Sequence, residues 1–416
     1  MKKSNEELGW LGLQYIVLIL ILFFIYGIVR YDDNVISGFI TIITSTSILI
    51  TDYLTIAGFS ATILNVILIL VFNLALLKIN KIKVRGVTFA AFFTVFGFAF
   101  FGKNIVNILP IYLGTYLFSR YEEEKFSKYL VIAMFATGLA PVVSFGFDSS
   151  IFQILLGILL GILYGFIIPT FSAHVIRFHN GYSLYNIGFA GGIYAILVYG
   201  ILKIFGIENT IISDFETSYS LELNLIILLI SVMYLVLGFR GQTNNKSYKK
   251  LLSMSGRAVT DFTMIFGKSL TYKNIGIVGI LTLIVMILSR VPTSGIVFGA
   301  ACTIIGFASF GKHPRNILPL IIGVLIAGFA VNREIDSSIL IIAMFSTTLA
   351  PVAGDFGVFA GLIAGVMHYS IAVNTADWQG GMNLYNNGFA SGFVAAIMGS
   401  VLDTIDLNKY FRKREC

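Results

Sequence analysis

Long apolar runs recur along this chain between short polar or basic stretches, and their continuity, as opposed to alternation, predicts helices. The first run covers residues 11–29. The next segment, 42–53, is β-branched and hydroxyl-rich, with Thr44, Ser45, Thr46, Ser47, Thr51 and Asp52. It is too polar to face lipid and too apolar for an ordinary loop, so a re-entrant or interfacial segment is expected. Residues 61–77 form a span ended by a basic loop with Lys78, Lys81, Lys83 and Arg85. Residues 86–101 and 107–118 are both short against the roughly 20 helical residues that cross about 30 Å of hydrocarbon. Gly102 and Lys103 fall at the break between them. Residues 128–145, with Pro141 near the end, 151–171 and 182–205 read as further helices. An acidic stretch, 206–222, precedes a span at 223–238, and a basic linker at 240–257 lacks apolar periodicity. Beyond it the pattern restarts.

The restart is a duplication. Gly97-Phe98-Ala99-Phe100-Phe101-Gly102-Lys103-Asn104-Ile105-Val106-Asn107-Ile108-Leu109-Pro110 returns as Gly306-Phe307-Ala308-Ser309-Phe310-Gly311-Lys312-His313-Pro314-Arg315-Asn316-Ile317-Leu318-Pro319, with no gap and an offset of 306 − 97 = 209. Thr51-Asp52-Tyr53, Gly58 and Asn65 map at that offset onto Thr260-Asp261-Phe262, Gly267 and Asn274. Ile132-Ala133-Met134-Phe135, Thr137 and Pro141 recur as Ile342-Ala343-Met344-Phe345, Thr347 and Pro351. Leu184-Tyr185-Asn186 and Gly188-Phe189-Ala190 recur as Leu384-Tyr385-Asn386 and Gly388-Phe389-Ala390, now at an offset of 384 − 184 = 200. The first copy therefore carries about ten extra residues after Pro141.

Composition sets the class. Of the 416 residues 57% are hydrophobic and only 12% charged, and the mean hydropathy is +0.89. A soluble domain carries about a quarter charged residues, so this is an all-α polytopic membrane protein with the lipid bilayer as its surroundings. The net charge of +7 sits in short loops and at the ends, which fits positive-inside topology and excludes nucleic acid as a partner. Cys302 and Cys416 suggest no disulfide framework. The run 11–29 is too long for a signal h-region and lacks a small-residue cleavage site before Tyr31, so it is read as a retained span.

Charge also orients the copies. Met1-Lys2-Lys3 with the rest of 1–10, the linker 240–257 and the tail 405–416 with Lys409, Arg412, Lys413 and Arg414 are expected on the cytoplasmic side. The connection 207–221, with Glu208, Asp214 and Glu216, and the neighbouring Glu222 are expected outside. Between them lie one repeat at 11–206 and a second at 220–404, each of about seven helical elements. The loop 78–85 is strongly basic while its counterpart near Arg290 carries one charge. An odd number of elements per copy gives inverted-topology repeats with re-entrant or broken helices.

Thr-Asp-[Tyr/Phe], Gly-Phe-Ala-x-x-Gly-Lys, Asn-Ile-Leu-Pro and Leu-Tyr-Asn-x-Gly-Phe-Ala, each present twice, resemble the pattern of a bacterial family of duplicated polytopic membrane proteins, a domain of unknown function. The resemblance covers nearly the whole chain and implies a multi-pass protein of the bacterial cytoplasmic membrane, but no substrate. The layout is also similar, in architecture alone, to that of inverted-repeat nucleobase and anion transporters.

Several residue sets could carry chemistry. Gly102 and Gly311 permit unusual backbone, Asn107 and Asn316 are expected as N-caps, and Pro110 and Pro319 follow, which suits discontinuous helices at a substrate site. The alternative is a packed kink. Lys103 and Lys312 are either buried counter-charges or anion ligands, or interfacial anchors, and His313 and Arg315 favour the interface for the second. Gly97 to Lys103 superficially matches a phosphate loop, but Asn104 stands where Ser or Thr is needed and no strand context surrounds it. Thr51 with Asp52 and Thr260 with Asp261 could hold Na⁺, carry a proton, or simply cap helices. Asp355 has no acid at its equivalent and could bind a coupling ion. Arg177 and Asp377, in the segments before Asn186 and Asn386, would face each other if those segments converge. No metal-ligand or nucleophile motif is present, and no cofactor is expected beyond coupling Na⁺ or H⁺.

These features point to a transporter or permease for a small polar or charged solute, with its site at the midplane between the repeats. A channel-like facilitator is the nearest alternative, and a membrane-embedded enzyme acting on a lipid or isoprenoid is the alternative from another class.

Overall fold

The computed structural model describes residues 5–31, 34–48, 51–208, 215–240, 247–331 and 333–405. The tail residues Lys409 to Arg414, Met1 to Lys3 and Asp214, to which the sequence assigns sides of the membrane, lie outside the described residues.

The two copies fold into the same series of helices. The first contains α1 (Asn5–Tyr31), α2 (Val35–Thr44), α3 (Tyr53–Ile79), α4 (Gly86–Phe98), α5 (Leu109–Tyr121), α6 (Leu130–Ala136), α7 (Pro141–Ser144), α8 (Ile151–Phe178) and α9 (Asn186–Ile204). The second contains α10 (Ser220–Arg240), α11 (Tyr248–Leu252), α12 (Phe262–Ser289), α13 (Gly295–Phe307), α14 (Pro314–Ala330), α15 (Ser337–Ser346), α16 (Ala350–Phe356), α17 (Val358–Trp378) and α18 (Asn386–Ile405). Two short helices in each copy, α2 and α7 or α11 and α16, stand beside the seven expected. The segment expected to be re-entrant, 42–53, takes in only the end of α2 and the irregular chain leading to α3, with residues 49–50 outside the described residues. The mate of α2, α11, lies inside the basic linker that lacked periodicity. The extra residues of the first copy fall in the turn 145–150 and the start of α8, where the second copy has only Gly357 between α16 and α17.

Among the described residues, nine helices are long and apolar enough to cross a membrane. The least buried of these, α1 and α8, leave most of their apolar side chains exposed or half-buried, as lipid-facing helices do. At the centre stand α4 and α13, of 13 residues each, about 20 Å long at 1.5 Å per residue. Every residue of α13 is buried, and every residue of α4 except Val87. They pack at small side chains. A Cβ on Gly97 would lie 2.7 Å from the Gly299 carbonyl oxygen and 2.8 Å from the Cβ of Cys302, and one on Gly306 2.4 Å from the Cβ of Phe93. Close backbone approach of this kind is what drives helix association where lipid is as apolar as leucine. Phe93 and Cys302 are themselves equivalents (302 − 93 = 209), so the contact is reciprocal.

Reciprocity recurs wherever the copies meet. Gly188 and Gly388 touch where α9 crosses α18, and Tyr185 meets Tyr385 with ring centroids 5.4 Å apart. The amide of Leu184 donates to Thr348 O, and that of Leu384 to Gly138 O, each at 3.0 Å. Contacts in which residue i meets j while their equivalents meet in return are those of a two-fold pair. The two repeats therefore interlock as a pseudo-dimer within one chain.

Glu222, read from sequence as part of an acidic outer connection, is only 7% exposed. It lies in the first turn of α10 and accepts hydrogen bonds from Tyr26 and Tyr31 of α1.

Candidate functional site

Each copy is interrupted at its Gly-Lys segment. Gly102 (φ +63°) and Gly311 (φ +104°) occupy left-handed backbone that a side chain would strain. An asparagine from the preceding long helix clamps the turn. Asn65 Nδ2 of α3 donates to Ala99 O (2.9 Å) and Lys103 O (3.0 Å), and Asn274 Nδ2 of α12 to Ala308 O (2.7 Å) and Lys312 O (2.8 Å). These carbonyls would otherwise be unpaired at a helix C-terminus in an apolar interior. Asn107 and Asn316 are not N-caps. Their carboxamides reach back instead: Oδ1 accepts from the amide of Asn104 or His313, and Nδ2 donates to the carbonyl of Gly102 or Gly311. The N-cap positions belong to Ile108 and His313.

The aspartates connect the copies. Asp52 caps α3 through Leu54 N (3.0 Å) and also accepts from Gly295 N, the first residue of α13 in the other repeat (3.0 Å). Asp261 caps α12 through Thr263 N (2.9 Å) and accepts from Gly86 N, the first residue of α4 (3.1 Å). Each carboxylate thus sits on two helix N-termini, where unpaired amides and the helix dipole favour negative charge. The extended chain beside each aspartate pairs with a break, through Tyr53 N to Phe100 O (3.0 Å) and Phe262 N to Ser309 O (3.1 Å). Thr51 and Thr260 only close local turns, with Ile48 N and Arg257 O. Neither aspartate forms an ion pair with a lysine among the described residues, so the counter-charge role is replaced by cross-repeat capping.

Both lysines are fully buried, at 0% exposure, and the interfacial position favoured for Lys312 does not hold. Arg315 is exposed and the His313 ring bonds Met254 O, while Lys312 turns inward. Its Nζ donates to Tyr185 Oη and to Thr347 Oγ1, both at 2.7 Å, and lies over the rings of Tyr185 and Phe307. Tyr185 Oη in turn donates to Thr303 (3.2 Å). Tyr185 comes from the opposite repeat. The equivalents of this cluster are Lys103, Tyr385, Thr137, Phe98 and Thr94. The rings keep the arrangement, with Tyr385 4.6 Å from Phe98 and Lys103 Nζ 5.3 Å from the Phe98 centroid. The hydrogen bonds do not. Lys103 Nζ lacks a partner, and the Tyr385 hydroxyl has only a loose contact with the Thr94 hydroxyl.

Two cavities related by the repeat flank these clusters. One, about 320 Å³, is lined by Val87, Phe135, Leu184, Tyr185, Asn186 and Phe310 among others. The other, about 230 Å³, is lined by their equivalents Ile296, Phe345, Leu384, Asn386 and Phe101, and also by Arg333. Asn186 and Asn386 open α9 and α18. Asn186 binds His179 (3.0 Å) and Ser172 O (2.9 Å), and Asn386 accepts from Asn387. Asp355 lies apart from the lysines, half-buried in α16, in a polar pocket of about 250 Å³ with His313, Arg315 and Asn316. Arg177 and Asp377 are both exposed and form no ion pair with each other. Among the described residues no three His, Cys, Asp or Glu side chains group closely enough to hold a metal ion.

The tyrosines were the site residues that sequence reasoning passed over. Tyr185 and Tyr385 stand in the repeated Leu-Tyr-Asn, beside the asparagines singled out there, and Thr137 and Thr347 are also repeated. What marks them in retrospect is a hydroxyl kept in both copies within otherwise apolar surroundings.

No curated protein and no solved structure matches this chain. The pattern of one family, described as a protein of unknown function (DUF1576), matches residues 31–204 and again residues 240–404. With both halves covered, the chain belongs to that family, as a duplicated, polytopic, helical membrane protein.

Proposed function

We propose that the protein is a transporter for a small polar or charged solute, which passes between two repeats oppositely oriented in the membrane. The observation that carries this reading is the pair of fully buried lysines at broken helices, Lys312 bonded to Tyr185 of the other repeat and Lys103 over Phe98, on which Tyr385 of the other repeat packs. An ionisable side chain in a membrane interior is costly and is retained chiefly for function. Helices as short as α4 and α13 end inside about 30 Å of hydrocarbon, and helix ends at that depth offer amides and carbonyls to a solute.

The paired cavities support alternating access. Each abuts a break at an equivalent leucine, Leu184 beside Gly311 and Leu384 beside Gly102. In inverted repeats such cavities face opposite sides, and a rocking of one set of helices opens one while closing the other. If an ion couples, Asp355 is its seat, since Asp52 and Asp261 are committed to helix amides.

Two experiments test this. Single cysteines at Lys81 and Arg290, equivalents at an offset of 209, should react with an impermeant maleimide from opposite sides in a Cys416→Ser background. Labelling from one side sinks the inversion. Purified protein in vesicles should accumulate at least one solute of a panel of amino acids, organic acids and inorganic ions above empty vesicles. No uptake under Na⁺, proton or solute gradients would count against transport.

A further inference from the structure

The two lysine clusters are equivalent in sequence and differ in one respect. At Lys312 the ammonium has two hydroxyl acceptors and two rings. At Lys103 the same residue types are present, but the Lys103 nitrogen is left without a hydrogen bond and the Tyr385 hydroxyl has only the Thr94 hydroxyl beside it. The donors of a buried amine are then unspent, and holding that amine charged without a partner costs several kcal/mol. The Lys103 nitrogen and the Tyr385 ring both lie against Phe98. The cavity next to this break is lined by Arg333, which is paired with Asp336 (3.2 Å), while Tyr385 itself lines the mate, whose lining carries no charged side chain. Between cavity and break stands Leu384, whose Cδ2 lies 2.4 Å from where a Cβ of Gly102 would be.

We infer that Lys103 and Tyr385 form the binding site for a small monovalent anion. A monoanion supplies the acceptor that Lys103 lacks and balances a single ammonium, whereas a dianion would leave one charge uncompensated in the interior. The Lys312 cluster, satisfied by its own hydroxyls, is the closed copy. The inference rests on the transport reading for its purpose but is tested without it.

The test uses the full chain in nanodiscs, with sodium formate and sodium nitrate as probes against sodium gluconate at equal ionic strength. The wild type is expected to melt several degrees higher in at least one probe. Lys103→Met should melt at or above the wild type in gluconate, having lost a buried unpaired amine, and show no anion-dependent rise. Tyr385→Phe, which removes only a hydroxyl in loose contact with Thr94, should nearly keep the gluconate melting point and need about tenfold more anion for half the rise, the worth of one hydrogen bond to a charge. If Lys103→Met does not fold, Tyr385→Phe alone decides. No rise in the wild type, or a rise undiminished in both variants, overturns the inference. Uptake of a neutral or cationic solute by a protein that shows no anion response would overturn this inference and leave transport standing. An anion response without uptake of any solute would do the reverse.

Discussion

The Lys312 and Lys103 clusters contain the same residue types in the same order of elements, and only one of them is chemically complete. Around Lys312 the ammonium finds two hydroxyl acceptors within the protein, and the cluster serves as a rivet between α9, α13 and the turn before α16. Around Lys103 the rings are held at nearly the same distances while the lysine's hydrogen bonds are missing. Duplication explains why both sets exist. It does not explain why one is unsatisfied, since an unsatisfied copy is the costlier one. The difference teaches that two-fold scaffolding and a one-fold task can be separated: the breaks, clamps and caps follow the symmetry, and the site departs from it.

The comparison can be broken most severely at the two glycines. Gly311→Ala places a Cβ 2.5 Å from the Gly256 carbonyl oxygen, which is backbone and cannot yield, at φ +104°. Gly102→Ala meets chiefly a methyl of Leu384, which can rotate, with the Ile48 carbonyl oxygen farther off at 3.3 Å, at φ +63°. A left-handed alanine costs about 1–2 kcal/mol in itself, and the backbone clash adds to it only at 311. Gly311→Ala should therefore abolish or sharply reduce the monodisperse yield in detergent, while Gly102→Ala remains purifiable with a lowered melting temperature. Equal behaviour would mean the two breaks are packed alike.

Next in size is the pair of lysine replacements. Lys312→Met loses two charge-assisted hydrogen bonds and should lower stability by about 2–3 kcal/mol, whereas Lys103→Met should raise it, both read by thermal melting in a non-binding salt. Opposite signs are the point, and two losses of similar size would erase the contrast on which the site rests.

Smaller again are the cross-repeat caps. Asp52→Ala removes a carboxylate that is 1% exposed, and Asp261→Ala a half-buried one. Losses of about 2 and about 1 kcal/mol are expected, within the range for N-caps, and hydrogen exchange should rise at the first turns of α13 and α4 respectively. Exchange confined to the mutated repeat's own helix would refute the crossed capping.

The smallest expected difference is at the clamps. Asn65→Ala and Asn274→Ala should each cost about 1 kcal/mol, typical of buried polar contacts between membrane helices, and match one another closely. A marked inequality would carry the asymmetry into the scaffold.

Much of the scaffold was legible in the sequence. The duplication, the short helices and the breaks at Gly102 and Gly311 follow from apolar run lengths and an exact-offset motif. Gly58 and Gly267 were visible as equivalents, and both have positive φ, at +78° and +79°, where α3 and α12 kink. The capping alternative for Asp52 and Asp261 was weighed, but a sequence offers no way to see that a cap serves a helix in the other half. The burial of Lys312 is hidden in the sequence because His313 and Arg315 follow it. At a break the chain turns within three residues, so neighbours in sequence stop sharing an environment. The role of Asn107 and Asn316 was misplaced for a related reason: the side chain reaches backward into the turn and not forward into the helix. The orphan state of Lys103 has no sequence signal at all, because its partners are present by type and absent only by geometry.

The crossed caps have a consequence for biosynthesis. Asp52 and the amide of Gly295 are separated by 243 positions, and Asp261 and the amide of Gly86 by 175. While a ribosome is still translating the second half, the first half has entered the bilayer with α4 lacking the carboxylate that closes its amino end, and with Asp52 holding only one of its two helices. Neither half can reach its finished form in the order in which it is made. The final act of assembly is therefore an exchange between halves, and an ancestral single-length chain would have completed itself only by pairing with a second copy.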